Sequence, residues 1–456
     1  MIFSVIIYFF YIVLILLIPI FFHRKRYDLV LMALIFSVQL NVTCIIKAGI
    51  TFSFFEISLL ETFTIIYLES RFCHKTISWR INKIDYIFVV FLFFSFISMC
   101  VAFLRLLYGD LPFSSEYPVP PMIRSLMSLN KPLFYLLLIP VGNYILNKID
   151  TSHCQSLFIK YLAFSGVLPA VAVVLQWMAI GFVVIHNNPS YSENALRITE
   201  YIGIRPVGLS NEAAGHCFEL FFAYIGLIHS GLKSLIGRKT FIWLLLLFVI
   251  SVVLSISRTG LVFFIGYSIY AYWRYSRQRT LSKIILSLGA GIVVVAALSQ
   301  LKIGGFNLFE RLMSTMEVEA DLSTIERYGL AEALIGLAVD KGLFFGIGIY
   351  NYFYYLKDYI PDYVTISYPY GMPLPSFNFI VQLIAEWGLP CFIVFLILSV
   401  RQIRSCQDRI VNEWFISLSL FAMSFQILNF SLPFIIMLYP LKKNLYDSKN
   451  HSFLLA

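Results

Sequence analysis

Apolar residues in this chain gather in long unbroken runs, near residues 2–22, 29–46, 50–68, 86–104, 132–147, 158–185, 213–231, 240–257, 259–273, 284–301, 378–400 and 414–439. A helix rises 1.5 Å per residue, so about 20 apolar residues cross a hydrocarbon core of about 30 Å. Each run is long enough, or nearly so, to span a bilayer. The pattern predicts an all-α, polytopic integral membrane protein with about 12 transmembrane helices. Residues 1–456 are expected to form a single multi-span membrane domain.

The connections between runs are of two kinds. Segments 23–28, 71–83, 233–239, 274–283 and 401–409 are basic and fall on alternate connections, the pattern of cytoplasmic loops. Residues 186–211 and 302–377 are long, polar and rich in Tyr, Pro, Asn and acids. They are expected on the opposite face, as a first long loop and a large loop in the periplasm or outside the cell. Within the large loop, Leu322–Leu337 has apolar residues at helical spacing, which predicts a helix lying on the membrane surface. An ordered loop of that length usually carries function. Twelve simple crossings would leave Lys442 and Lys443 outside, so 414–439 is expected to be a broken hairpin around Asn429 and Pro433. The basic group His23–Arg26 follows the first run instead of preceding it, so that run reads as a retained span.

Composition sharpens this. The chain is 59% hydrophobic and 13% charged, with a mean hydropathy of +0.82, more apolar surface than a soluble fold can enclose. The net charge of +9 lies in the short basic loops, so it calls for no nucleic-acid partner. None of the seven cysteines forms a CxxC or Cys/His spacing, and neither a disulfide framework nor a metal or other cofactor is expected. GxxxxGK[ST], GxSxG and HExxH are missing, which argues against nucleotide hydrolysis as an energy source.

Arginine at an apolar boundary is costly without an anionic partner or a route to the interface. Arg258 sits in a tight turn between two runs, shaped to hold a phosphate or diphosphate through several N–H donors, or to snorkel as an interfacial anchor. Arg205 precedes Gly208, Ser210 and Asn211, which fit a turn and a helix cap whose amides an anion can meet. His216 lies one turn into the following run and reads as a packing residue or a proton carrier. Arg327 opens the surface helix, as a solvated charge or a substrate contact. Glu386 is a carboxylate inside a run, a functional candidate or the partner of an arginine. Glu56, Glu61 and Glu69 allow a proton-relay reading, and the Tyr-rich passage 350–370 either stacks on sugars or forms an interfacial belt.

Four segments together resemble the O-antigen polymerase and ligase superfamily. Ile204–Gly215 is similar to its Arg-x-x-Gly followed by Asn, and Ser255-Ile256-Ser257-Arg258-Thr259-Gly260 to its Ser-Arg-x-Gly turn. Arg327–Asn351, with Gly342-Leu343-Phe344-Phe345-Gly346-Ile347-Gly348-Ile349-Tyr350-Asn351, resembles the Arg-led helix and glycine segment of the large loop. Phe377–Leu389 resembles the His-Asn segment that opens the next span and ends in Glu-x-Gly. The resemblance covers Ile204 to about Val400, and the first half of the chain matches only in hydropathy. Where the ligase type has His-Asn, this chain has Phe377-Asn378, which favours a polymerase.

The resemblance implies a GT-C-like membrane glycosyltransferase of the bacterial inner membrane, multi-pass, with a periplasmic active face. Its implied reaction moves a growing glycan from undecaprenyl diphosphate to a hydroxyl of the next lipid-linked repeat unit. Arg205, Arg258 and Arg327 would bind the diphosphates, with Asn378, Glu386 and His216 as catalytic candidates. The implied partners are a lipid-linked donor and acceptor, membrane lipid, and a chain-length regulator and flippase. Transfer to a lipid A core, or flipping of lipid-linked oligosaccharide, are the alternatives. A carrier usually shows two similar halves with polar residues at mid-membrane, whereas here the polar content collects in two loops.

Overall fold

The computed structural model describes residues 2–39, 53–74, 76–109, 121–178, 206–210, 213–276, 302–303, 306–307, 322–364, 378–423 and 431–441. In chain order the helices begin with α1 (Ile2–Leu16), α2 (Ile18–His23), α3 (Tyr27–Ser37), α4 (Phe54–Phe72), α5 (Lys83–Leu107) and α6 (Pro121–Tyr135). They continue with α7 (Leu138–Leu146), α8 (Thr151–Ser165), α9 (Val167–Trp177), α10 (Ala213–Leu232), α11 (Arg238–Leu254) and α12 (Arg258–Tyr275). A two-residue antiparallel pair, β1 (Lys302–Ile303) with β2 (Phe306–Asn307), precedes α13 (Leu322–Leu337). The last helices are α14 (Tyr352–Leu356), α15 (Phe379–Trp387), α16 (Leu389–Cys406) and α17 (Arg409–Ala422), followed by a 3-10 helix over Leu432–Leu438.

Among the described residues, four helical stretches are long and apolar enough to cross a membrane: Lys83–Leu107, Leu129–Leu146, Thr151–Trp177 and Leu389–Cys406. Their outer faces are apolar, with Ile397 60% exposed, while Glu386, Glu219 and His216 are fully enclosed. Apolar residues outside and ionisable ones inside fit a membrane protein. The expected total of about 12 spans is not shown by these residues, and the run 284–301 lies outside them.

Several runs read as continuous are broken, run 2–22 between α1 and α2 and run 132–147 between α6 and α7 among them. Run 378–400 divides at Gly388, whose φ of 84° only glycine adopts readily, and Pro390 then starts α16 where its missing N–H costs nothing. Gly166 separates α8 from α9 within run 158–185. Of the hairpin expected over 414–439, α17 and the 3-10 helix carrying Pro433 are described, and Asn429 lies outside.

The chain forms two compact units, Met1–Lys75 with Ile145–Glu317, and Thr76–Tyr144 with Val318–Ala456. In the first, α10 is the buried axis, enclosed by α8, α11 and α12. Small residues set the closeness: a Cβ on Gly226 would lie 2.9 Å from the Ala163 backbone nitrogen, and one on Gly166 2.6 Å from the Ala223 Cβ. Helix α4 begins with a capping box in which the Ser53 amide donates to Glu56 Oε2 at 2.7 Å and the Glu56 amide donates to Ser53 Oγ at 3.3 Å. Glu56 therefore has a structural task, and no proton relay is needed to explain it.

In the second unit α5 runs against α6, α15 and α16. The helix predicted over 322–337 is present as α13, with a core of its own. Leu330, Ala333, Leu334 and Leu337 line one face and bury against Ile347, Tyr352, Tyr354, Tyr355 and Leu356. Each buried leucine contributes about 1.5–3 kcal/mol. Tyr352, Tyr354 and Tyr355 are thus core residues and are not offered to a sugar.

Candidate functional site

The four segments that carry the resemblance fall two in each unit, joined through the start of α10 in the first and directly in the second. In the first unit the turn at residues 206–210 is held by Gln176 at the end of α9. Its Oε1 accepts from the Val207 and Gly208 amides, both at 2.9 Å, and its Nε2 donates to the Gly208 carbonyl at 2.8 Å. Gly208 has a φ of 63°, and a Cβ there would lie 2.4 Å from His216 Nδ1. Glycine is required twice over, by conformation and by space. His216 is enclosed beneath this turn, and its Nε2 pairs with Ser251 Oγ at 2.9 Å.

The second segment packs against α10 just beyond the first, Ser255 Oγ lying 3.3 Å from Cys217 Sγ. Ser257 caps α12 by accepting from the Gly260 amide at 3.3 Å, and Arg258 is the first residue of the helix, half-buried. A guanidinium here stands at the positive end of a helix, a setting that suits an anion. Gly260 leaves no room for a side chain, since a Cβ would lie 2.3 Å from Cys217 Sγ. Buried Ile256, just before the cap, is held at φ 51°. A β-branched residue in that region costs about 1–3 kcal/mol. Among the described residues, Lys25, His74, Ser234 and Gln407 also have positive φ but lie exposed near helix ends, whereas Ile256 and Tyr350 lie within the motif turns.

In the second unit the glycine segment 342–351 docks on the broken end of α15 through its main chain. The Ile347 amide donates to the Ala385 carbonyl at 3.0 Å, Gly348 to Glu386 at 3.1 Å, and Leu389 back to Leu343 at 2.8 Å. These bonds satisfy carbonyls that the end of a helix leaves open. Gly346, at φ 71°, would bring a Cβ to 2.2 Å from the Glu386 carbonyl oxygen, and Gly348, at φ 94°, to 2.3 Å from the Ala102 Cβ. Ser98 Oγ also donates to the Glu386 carbonyl, at 2.6 Å. Arg105 of α5 clamps the segment from its other side, Nε donating to Gly346 at 3.0 Å and Nη2 to Lys341 at 2.7 Å.

Glu386 lies inside this joint. Gln382 Nε2 donates to its Oε1 at 3.0 Å, while Oε2 is buried with no hydrogen-bond partner among the described residues. The buried Asn351 carboxamide is likewise unpartnered at both polar atoms. Asn378 is the N-cap of α15, its Oδ1 accepting from the Val381 amide at 3.1 Å. Eight residues of helix, about 12 Å of rise, separate it from Glu386. Arg327 is half-buried on α13, which packs against α15. Arg205 and Phe377 lie outside the described residues.

Residues 243–396 match the family model described as O-Antigen ligase. That match supports the O-antigen ligase and polymerase superfamily, whose members are membrane enzymes acting on lipid-linked glycans. It takes in Arg258, Arg327, Asn378 and Glu386, and begins after Arg205 and His216. No curated protein and no solved structure matches the chain.

Three residues of the two clusters went unnoticed in the sequence. Gln176 is a lone amide in an apolar run, with no spacing to mark it. Arg105 closes such a run, where the rule used for Arg258 would have found it. Glu219 lies one turn beyond His216, fully enclosed, with neither carboxyl oxygen hydrogen-bonded among the described residues. The rule applied to Glu386 selects it equally.

Proposed function

We propose that this protein polymerises undecaprenyl-diphosphate-linked repeat units into O-antigen or a related surface polysaccharide at the periplasmic face of the bacterial inner membrane. The observation that carries this reading is that the start of α10 meets both motif turns, His216 lying against Gly208 and Cys217 against the capped, strained turn that presents Arg258 at the start of α12. Transfer requires the acceptor hydroxyl to attack the anomeric carbon as its bond to the diphosphate oxygen breaks. Diphosphate is a competent leaving group once its charge is held, so cations at the leaving oxygens and an aligned acceptor supply most of the catalysis. Arg258 and Arg205 hold the diphosphates, and Arg327 assists from α13.

Glu386 receives the hydroxyl proton on its unpartnered oxygen, once the main-chain joint over it opens to admit the acceptor. Asn378 sets the start of α15 and thereby the carboxyl's placement, and His216 supports the Gly208 turn from below. Phe377 in place of a histidine favours polymerisation. The family description favours the second reading, transfer to a lipid A core.

A gel profile of surface polysaccharide tests both readings in a deletion strain carrying wild type, Arg258→Ala or Arg258→Lys at equal membrane levels. Polymerisation predicts loss of the long ladder with Arg258→Ala while core plus one repeat unit persists. Loss of that single capped unit as well would favour ligation or flipping. An unchanged ladder would overturn the diphosphate role of Arg258.

A further inference from the structure

At the end of the α10–α12 bundle away from Arg258, the first unit holds a cavity of about 670 Å³. That lies within the size range of small-molecule sites. Along α12 the rise from Arg258 to Tyr275 is about 26 Å, so the cavity and the arginine turn lie near opposite ends of one helix. The walls are mainly aliphatic and aromatic, with Tyr224, Phe241, Tyr272 and Tyr275 among them. Inside, the Tyr224 hydroxyl meets Ser268 Oγ at 2.8 Å, and Ser268 Oγ donates to the Phe264 carbonyl at 2.6 Å. The polar groups of that pair are already engaged, so the walls offer mainly apolar surface, with Ser234 and Ser276 also in the lining.

The rim differs from the walls. Arg238 lines the mouth, is exposed, and makes no ion pair or hydrogen bond among the described residues. Lys233, Lys239 and Arg274 lie in the same two chain segments. No Asp or Glu occurs anywhere between Glu219 and Glu310. The segments that build the cavity therefore contain cations and no carboxylate of their own. Exposed Trp243 and Trp273 flank the region as interfacial aromatics do.

An apolar cavity, a cationic lip and an aromatic girdle together match one occupant. We propose that this cavity binds an anionic phospholipid, its phosphate on Arg238 and an acyl chain between α10, α11 and α12. The site is separate from the glycan chemistry and does not depend on it. The lipid would brace the bundle whose other end carries Gly208 and Arg258.

The test uses the full-length protein purified in detergent and measures binding by native mass spectrometry. The probes are phosphatidylglycerol, phosphatidylcholine with the same chains, and glycerol 3-phosphate. Phosphatidylglycerol is expected to bind best and glycerol 3-phosphate not to bind. Arg238→Ala, at an exposed position that does not threaten folding, should weaken phosphatidylglycerol about fivefold and phosphatidylcholine, whose choline offsets the phosphate charge, by less. Ala271→Phe, which fills the cavity, should weaken both lipids. Equal binding of the two lipids by wild type, or unchanged phosphatidylglycerol binding with Arg238→Ala, overturns the proposal. So does glycerol 3-phosphate binding as well as the lipid, which would make the site one for a free anion.

Discussion

Gly208 has no room for a methyl group and no freedom to give up its conformation, because His216 lies against it and Gln176 holds it on both sides. A left-handed alanine costs about 1–2 kcal/mol before any clash is counted. Gly208→Ala should lower the melting temperature in detergent, and adding His216→Ala should recover the part due to the clash while the conformational part remains. A Gly208→Ala protein as stable as wild type would mean that the turn does not rest on His216. The same neighbourhood shows how far residue-level reading of the chain reaches. Arg258, Gly208 and Glu386 stood out because a charge in an apolar run or a glycine beside polar residues is conspicuous. Gln176 could not, since its three hydrogen bonds all go to main-chain atoms of a segment about 30 residues later.

At the scale of elements, the long apolar runs and the helix over 322–337 were legible because their periodicity is carried by side chains. The breaks at Gly166 and Gly388 were not: hydropathy is continuous across both, and they are marked only by a glycine followed within three residues by a proline, Gly166 with Pro169 and Gly388 with Pro390. Two phenols of the segment that follows also tie it back, one to α13 and one to the π-helical turn Ala338–Gly342 at its end. The Tyr363 hydroxyl donates to Glu332 Oε2 at 2.5 Å and the Tyr359 hydroxyl to Asp340 Oδ2. The hydrogen bond to Glu332 pushes Tyr363 up to about 12, and burial, then the Asp340 carboxylate, pushes Tyr359 up to about 12. Both phenols thus favour the protonated form when folded. Their contribution is complete below the ordinary tyrosine value of about 10 and is lost as pH rises through about 12. Limited proteolysis within 338–364 should accelerate over that window, and a Tyr359→Phe, Tyr363→Phe double variant should flatten the dependence. An identical pH profile in the double variant would count against these ties.

For the whole molecule, the distribution of polarity is that of a protein whose solvent is apolar. Helix α16 makes the point: only 6% of its apolar window is buried, and Ile397 faces outward. An arginine on a lipid-facing helix centre costs about 2.5–3.5 kcal/mol on insertion scales. Ile397→Arg should therefore reduce the membrane-integrated fraction of newly made protein, measured with a topology reporter fused after Cys406. Normal integration would mean that this face is covered by protein and not by lipid. Composition made the membrane environment plain from the start. The grouping of motif segments into two pairs was hidden, because each pair joins residues far apart in sequence through main-chain atoms or through closeness that only missing side chains permit.

The docking of residues 343–348 onto the end of α15 has a further consequence. A joint whose fasteners are amides and carbonyls is indifferent to the chemistry displayed beside it, provided the glycines stay. The outward side chains of that segment, Phe344 and Phe345 among them, can be exchanged without loosening the mount. Attachment and display are thus separable properties of one short stretch of chain, so a scaffold of this kind can change what it meets without having to refold.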